Sequence, residues 1–226
     1  MSKEGYLDLK KTIELCSIEN CIFDKNTHNK KPLYLNHKDP DKVRILIVTE
    51  QPKIINNRDF SKDFYDDVSK VTTYKDLVAI LGEEFNKSIK NSNGSFYWTH
   101  HTKCPSKRRE PQNICAEAYI TKELEVFKNL RLVISFGAYS YNFFQSSLLN
   151  TDKTLIDEFY DLLKEQILKE EVNIETQANH LKDYPQIVFL PLPHPSKANP
   201  LGHLIKKAQK TINKYIERAT NKENQT

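Results

Sequence analysis

Glycine is scarce in this 226-residue chain, five in all, and that excludes collagen-like and glycine-rich architectures. A run of about 18 apolar residues is missing as well, so no segment is expected to cross a membrane as a helix. The opening residues, Met1-Ser-Lys-Glu-Gly-Tyr-Leu-Asp-Leu-Lys10, lack the apolar stretch of a secretory signal, and a cytoplasmic protein is expected. Only four cysteines occur. In a reducing compartment they are metal ligands or core residues rather than disulfides. A large excess of one charge is also absent: the formal net charge is +4, which permits an anionic partner without demonstrating one.

What the chain does hold is bulk. Eleven Phe, eleven Tyr and one Trp supply core filling for a hydrophobic share of only 38%. Mean hydropathy is low, at −0.65. Charged residues make up 28%, close to the usual quarter, and no long low-complexity tract occurs, so a wholly disordered chain is excluded. The length suits one domain over 1–226.

Tyr6 to Cys21 reads as a short helix running into a cysteine-bearing turn, and Asp24 to Lys42 as loop. Val43-Arg-Ile-Leu-Ile-Val-Thr49 is a β-branched run of the kind buried on both faces of a parallel sheet. Helical spacing covers Asp63 to Leu81, the tetrapeptide Asn91-Ser-Asn-Gly94 is a turn, and Ser95 to Thr99 is a second strand. A polar, basic loop runs from His100 to Asn113, then a helix from Ile114 to Asn129. Leu130 to Phe136 is a third strand, with Gly137 marking the step into a helix over Ala138–Leu149. Thr151 to Glu171 is a charged amphipathic helix, part of a helical insertion at 151–184. Ile187 to Leu192 is a fourth strand, Leu204 to Ile216 a terminal helix, and 220–226 a frayed tail. Strands alternating with helices predict a three-layer α/β/α sandwich around a mostly parallel four-stranded sheet.

Open sheets of this kind bind ligands beyond the carboxyl ends of their strands. Glu50-Gln51-Pro52, Trp98 to Cys104, and His194-Pro195-Ser196 lie there. A carboxylate and an imidazole brought together can share acid–base or electrostatic work on one substrate. The plainer roles are a helix cap for Glu50 and a structural turn for a histidine between prolines. Cys16, Cys21, Cys104 and Cys115 suit an iron–sulfur cluster or a tetrahedral zinc, although neither pair has the tight C-x2-C spacing. Four buried, independent cysteines are the alternative. Lys103-Cys-Pro-Ser-Lys-Arg-Arg109 holds four basic residues in seven positions, able to grip phosphates or simply to be solvated. Lys206, Lys207, Lys210 and Lys214 read as the wet face of the last helix.

Four segments together resemble the uracil-DNA glycosylase superfamily, closest to its iron–sulfur (family 4) branch. Ile45-Leu-Ile-Val-Thr-Glu-Gln-Pro52 resembles the strand that ends in Gly-Glu-Ala-Pro-Gly, and Phe96-Tyr-Trp-Thr-His-His-Thr-Lys-Cys-Pro105 the strand ending in Thr-Asn-x-x-Lys-Cys. Leu132-Val-Ile-Ser-Phe-Gly137 is similar to the next strand and its glycine turn, and Pro193-His-Pro-Ser196 to the second catalytic motif. The order agrees across Val43 to Leu204, leaving out the insertion.

The resemblance implies an enzyme of DNA base excision repair that hydrolyses the N-glycosidic bond of uracil or another deaminated base. It implies Glu50 and His194 as catalytic residues, with Gln51, Phe60 or Phe64, His100 and Ser196 at the base. Lys107, Arg108, Arg109 and Lys197 would hold DNA. Cys16, Cys21, Cys104 and Cys115 would bind a structural [4Fe–4S] cluster, with zinc or no metal as alternatives. A monomer is expected, associated with the nucleoid if the source is bacterial or archaeal. Three positions depart from the pattern: Thr49 and Lys53 replace motif glycines, and His100 stands where an asparagine reads the base. A neutral imidazole offers its donor and acceptor on opposite sides of a ring, unlike an amide. A catalytically inactive, nucleic-acid-binding member of the same fold is therefore the alternative reading.

Overall fold

β-Branched and aromatic residues run together at three places in the chain, and each run becomes a strand buried along its whole length. The computed structural model describes residues 2–16, 34–52, 71–104, 113–149, 179–195 and 208–221, together with Val68, Asn199, Gly202 and Ile205. In it, β1 (Ile45–Thr49), β2 (Phe96–His100) and β3 (Leu132–Phe136) lie side by side with every residue buried. Strands covered on both faces are what a parallel sheet between helices requires. β4 (Asn179–Leu181) and β5 (Tyr184–Leu192) complete a sheet of order β2-β1-β3-β5-β4.

Four strands are parallel, and β4 pairs antiparallel with β5 at the edge. The sheet thus has five strands where four were expected. Asn179-His-Leu181 is too short and polar to signal a strand; it forms because Lys182-Asp183 turns the chain back onto β5. β5 also starts three residues before Ile187, at Tyr184, where pairing with β4 extends it. These residues close the span read as a helical insertion, whose 151–178 lie outside the described residues.

The helices are α1 (Ser2–Glu14), α2 (Thr72–Lys90), α3 (Asn113–Val126), α4 (Ala138–Phe144, continuing as a π turn over Gln145–Leu149) and α5 (Gln209–Thr220). Alternation along β2 sorts the core into two layers. Tyr97 meets Tyr6 of α1 and Phe127, at 6.3 and 4.7 Å between ring centroids. Phe96 and Trp98 face the other way, onto Phe85 and Tyr74 of α2. Tyr6 also anchors the segment before β1: its hydroxyl donates to the Leu35 carbonyl at 2.7 Å and accepts the His37 N–H at 2.8 Å.

Three helices differ from the sequence reading, the last of them α5, which ends at Thr220 rather than at Ile216 and takes in the first residue of the expected frayed tail. α1 begins at Ser2 and ends at Glu14, so Cys16 follows the helix. α2 begins at Thr72 and runs nine residues past Leu81. Gly82-Glu-Glu84 reads as a stop, yet the buried stripe Leu77, Leu81, Phe85 and Ile89 continues through it at a spacing of four. Gly82 takes a φ of 80°, kinking the helix, and Gln209 of α5 donates its side-chain amide to the Ile80 carbonyl. The carboxyl tail is helical through Thr220, with Ile212, Tyr215 and Ala219 buried.

Candidate active site

Parallel strands end at one edge of a sheet, so the segments following β1, β2, β3 and β5 share that edge. These are Glu50-Gln51-Pro52, His101 to Cys104, Gly137-Ala138 and Pro193-His194-Pro195. β1 and β5 are the two neighbours of β3. Their motifs, far apart in sequence, therefore flank the turn that leaves β3.

That turn touches Glu50 and the last residue of β5. The Gly137 N–H donates to the Leu192 carbonyl at 3.0 Å, two residues before His194. Gly137 has a φ of 94°, a conformation that side-chain-bearing residues rarely adopt. Added there, a Cβ would collide with Glu50 Oε1 and lie 2.9 Å from its carboxyl carbon. The Glu50 carboxyl fills that space and accepts the Ala138 N–H. Burial pushes this carboxyl above its ordinary value, and the Ala138 N–H, which favours the anion, opposes the shift. Glu50, Gln51 and His194 are all half-buried. Asn199 donates to the His194 carbonyl at 3.1 Å, bracing the Pro193-His194-Pro195 segment from beyond it.

The chain leaving β2 stays alongside β1. His101 donates its N–H to the Thr49 carbonyl at 2.7 Å, and Thr102 to the Glu50 carbonyl at 2.9 Å. His100 is 2% exposed, its ring 5.2 Å from that of Trp98. The Trp98 indole N–H donates to Thr49 Oγ1 at 3.0 Å, so Thr49 holds the ring that underlies His100. Burial, with the positive charge of Lys103 nearby, brings His100 down to about 3 and keeps it neutral. His101 is buried against Phe143 and, for the same reasons, lowered to about 4.

Lys103, read from sequence as part of a basic loop, is instead fully buried. Its Nζ lies 2.8 Å from Glu123 Oε1 and also donates to Thr99 Oγ1, whose hydroxyl donates to the same carboxylate oxygen at 2.9 Å. Lys103 and Glu123 both have 0% side-chain exposure. Burial pushes the Glu123 carboxyl up, and the Lys103 ammonium opposes it. The pair ties the exit of β2 to α3. It does so beside the thiols, because the Lys103 N–H donates to Cys115 Sγ at 3.2 Å. One signal of this pair was present in the sequence. Glu123 interrupts the buried stripe Ala116, Tyr119, Ile120 and Leu124, and a carboxylate there requires a partner.

Three thiols gather near Tyr119 of α3. Cys104 and Cys115 are buried and Cys16 half-buried. Burial, a hydrogen bond with Cys16 and the charges of Cys115 and Cys104 push the phenol far up. Among the described residues, no three Cys, His, Asp or Glu side chains stand close enough to hold a metal ion. Cys21, Phe60, Phe64, Lys107, Arg108, Arg109, Ser196 and Lys197 lie outside the described residues.

A family model for the uracil DNA glycosylase superfamily matches residues 36–219. The chain belongs to that superfamily. The uracil DNA glycosylase match takes in the whole sheet, Glu50, Gln51, His100, Cys104, Cys115 and His194, and leaves out Cys16 and Cys21. The superfamily fold is that of DNA glycosylases, hydrolases whose substrate is DNA. A search of curated proteins finds no match. No helix among the described residues is long and apolar enough to cross a membrane.

Two outcomes follow for this superfamily member. Lys103→Met strands a buried carboxylate and is expected to lower the unfolding free energy by ~3–5 kcal/mol, most of it recovered in Lys103→Met/Glu123→Leu. Urea titrations check this, and equal losses in both variants would refute it. The second outcome concerns pH. Because Glu50 is raised above its ordinary 4.5, its contribution to stability is complete below that pH and is lost as pH rises through the folded value. Glu50→Gln, an uncharged amide of the same shape, is thus expected to raise Tm at pH 8 and to leave it unchanged near pH 4, which thermal melts at the two pH values check.

Proposed function

We propose that this protein is a DNA N-glycosylase that releases uracil or another deaminated base. What supports the reading is that the segments carrying Glu50 and His194 follow the two strands on either side of β3, at the same sheet edge and inside the superfamily span. A base extruded from the duplex enters the crevice beyond the strand ends. As its glycosidic bond breaks, positive charge grows on the sugar and negative charge on the departing base. Glu50, as the carboxylate, orients the attacking water or stabilises the cationic sugar. His194 donates a hydrogen bond to the base where its charge develops; donors of this kind are worth ~3–4 kcal/mol of barrier.

Gln51 and His100 face the base, and Phe60 or Phe64 stacks on it. Ser196, Lys197 and Lys107–Arg109 hold the phosphates. His100, kept neutral by burial, presents one ring nitrogen as donor and one as acceptor, and its preference among uracil, hypoxanthine and xanthine follows from which of them faces the pocket. Cleavage is then expected to be insensitive to His100 ionisation above pH 5.

The same reading assigns Cys16, Cys21, Cys104 and Cys115 to a [4Fe–4S] cluster, the iron–sulfur branch's arrangement. Cysteine sulfur is the soft donor such a cluster takes, and Cys16, Cys104 and Cys115 all act on Tyr119, although the described side chains do not stand within reach of one metal ion. When bound, the cluster supplies cross-links between segments and no redox step. A binding module without catalysis is the second reading, favoured by Thr49 and the buried His100 in place of smaller or amide-bearing residues.

Oligonucleotides carrying uracil, hypoxanthine or xanthine, treated with alkali after incubation, test the enzymatic reading. At least one is expected to be cut, with His194→Ala slower by ~10²–10³-fold. If folded protein cuts none of them yet binds DNA in a salt-dependent way, the module reading replaces it. Anaerobically purified protein is expected to be brown and Cys104→Ser colourless, whereas colourless wild type with stoichiometric zinc would overturn the iron assignment.

A further inference from the structure

The turn between β3 and α4 does more than reverse the chain. Three contacts converge on two consecutive residues. The space a Cβ of residue 137 would occupy is filled by the Glu50 carboxyl. The next N–H, on Ala138, donates to that carboxyl. The N–H of Gly137 itself donates to the Leu192 carbonyl, at the end of the strand that delivers His194. We infer that Gly137–Ala138 is a positioning element of the active site, seating the acidic side chain in a gap only glycine leaves open while tying down the strand that carries the imidazole. The inference rests on the glycosylase reading for its consequence in catalysis, but its geometry does not.

The physical argument is one of room and direction. Glu50 leaves β1 beside β3 and has several rotatable bonds, so nothing in its own backbone fixes where its carboxyl lies. A wall without a side chain lets the carboxyl approach the backbone, and a single N–H then selects its orientation through a charge-assisted hydrogen bond. Among the described residues, burial and this N–H set the carboxyl's affinity for a proton. Losing the N–H moves that affinity upward, since burial is then unopposed. Because the turn also holds Leu192, a shift at residue 137 moves both motifs together.

Two variants separate the contacts. Gly137→Ala places a methyl group in the carboxyl's space. Ala138→Pro deletes only the N–H, at the first helical position, where proline is tolerated, and after a glycine whose ψ of 165° suits a following proline. Circular dichroism and thermal melting establish that each variant folds. Single-turnover base release is expected to fall about 10²-fold in Gly137→Ala, as for a misplaced reacting group. A loss of about tenfold is expected in Ala138→Pro, for one charge-assisted hydrogen bond. The dissociation constant for damaged DNA is expected to stay unchanged in both. Titration of the Glu50 carboxyl by 13C NMR, assigned against Glu50→Gln, is expected to move to higher pH in both variants, which a purely structural role of the turn would not do. Wild-type rates with an unmoved titration in both folded variants would overturn the inference. If the wild type releases no base, the glycosylase reading fails, and the positioning inference is decided by the titration alone.

Discussion

The carboxyl of Glu50 occupies the place where residue 137 would otherwise carry a side chain, and that contact joins the end of β1 to the turn after β3. It requires β1 beside β3, in a register that ends the two strands level. Val48 pairs with Ser135, so Glu50 and Gly137 each follow their last paired residue by two. It also requires a turn with positive φ, which glycine provides without strain. Because β3 stands between β1 and β5, the same turn meets the end of β5 through Leu192. One central strand thereby sets the spacing of two motifs that belong to its neighbours.

β2 divides its labour by alternation. Trp98 and His100 point to one face, where the Thr49 hydroxyl and the Tyr74 ring hold the indole. Thr99 points to the other and joins Lys103 and Glu123 in a dry, charged cluster against α3. Buried ion pairs add little net stability over an apolar filling, since desolvation offsets most of the attraction. What the pair gives here is placement: a bidirectional link between the chain leaving β2 and the helix carrying Cys115 and Tyr119. The N–H of Lys103 on Cys115 Sγ reports how close the two come.

Much of the fold was legible because its central strands are uninterrupted β-branched and aromatic runs, and two-sided burial leaves them no other place. β4 was not legible, being three residues at an edge and held by a hairpin. The second half of α2 was hidden by Gly82-Glu-Glu84, which resembles a terminus although the apolar spacing continues. Glu50 stood out as a polar residue directly after a buried strand, and His194 as one two residues beyond another. Gly137 could not be read as their link, because chain order places β1 next to β2 and says nothing of β3 lying between β1 and β5. Lys103 was misread for a local reason: its neighbours Lys107, Arg108 and Arg109 make a basic run, while the carboxylate that buries it sits 20 positions away on a helix.

The departures from the superfamily pattern are not independent of one another. Thr49 accepts the Trp98 N–H, and Trp98 lies tilted against the His100 ring, so positions 49 and 100 are connected through one indole. A change at position 49 alone removes an acceptor for a buried N–H, which is unfavourable whatever it does for the pocket. A change at position 100 alone leaves Trp98 facing a smaller, more polar neighbour. Sequences that moved from one arrangement to the other by single steps would pass through a mismatched core at each. The pair Thr49 and His100 is therefore better understood as one packing solution around Trp98 than as two separate changes, and substitutions at the two positions are expected to be non-additive.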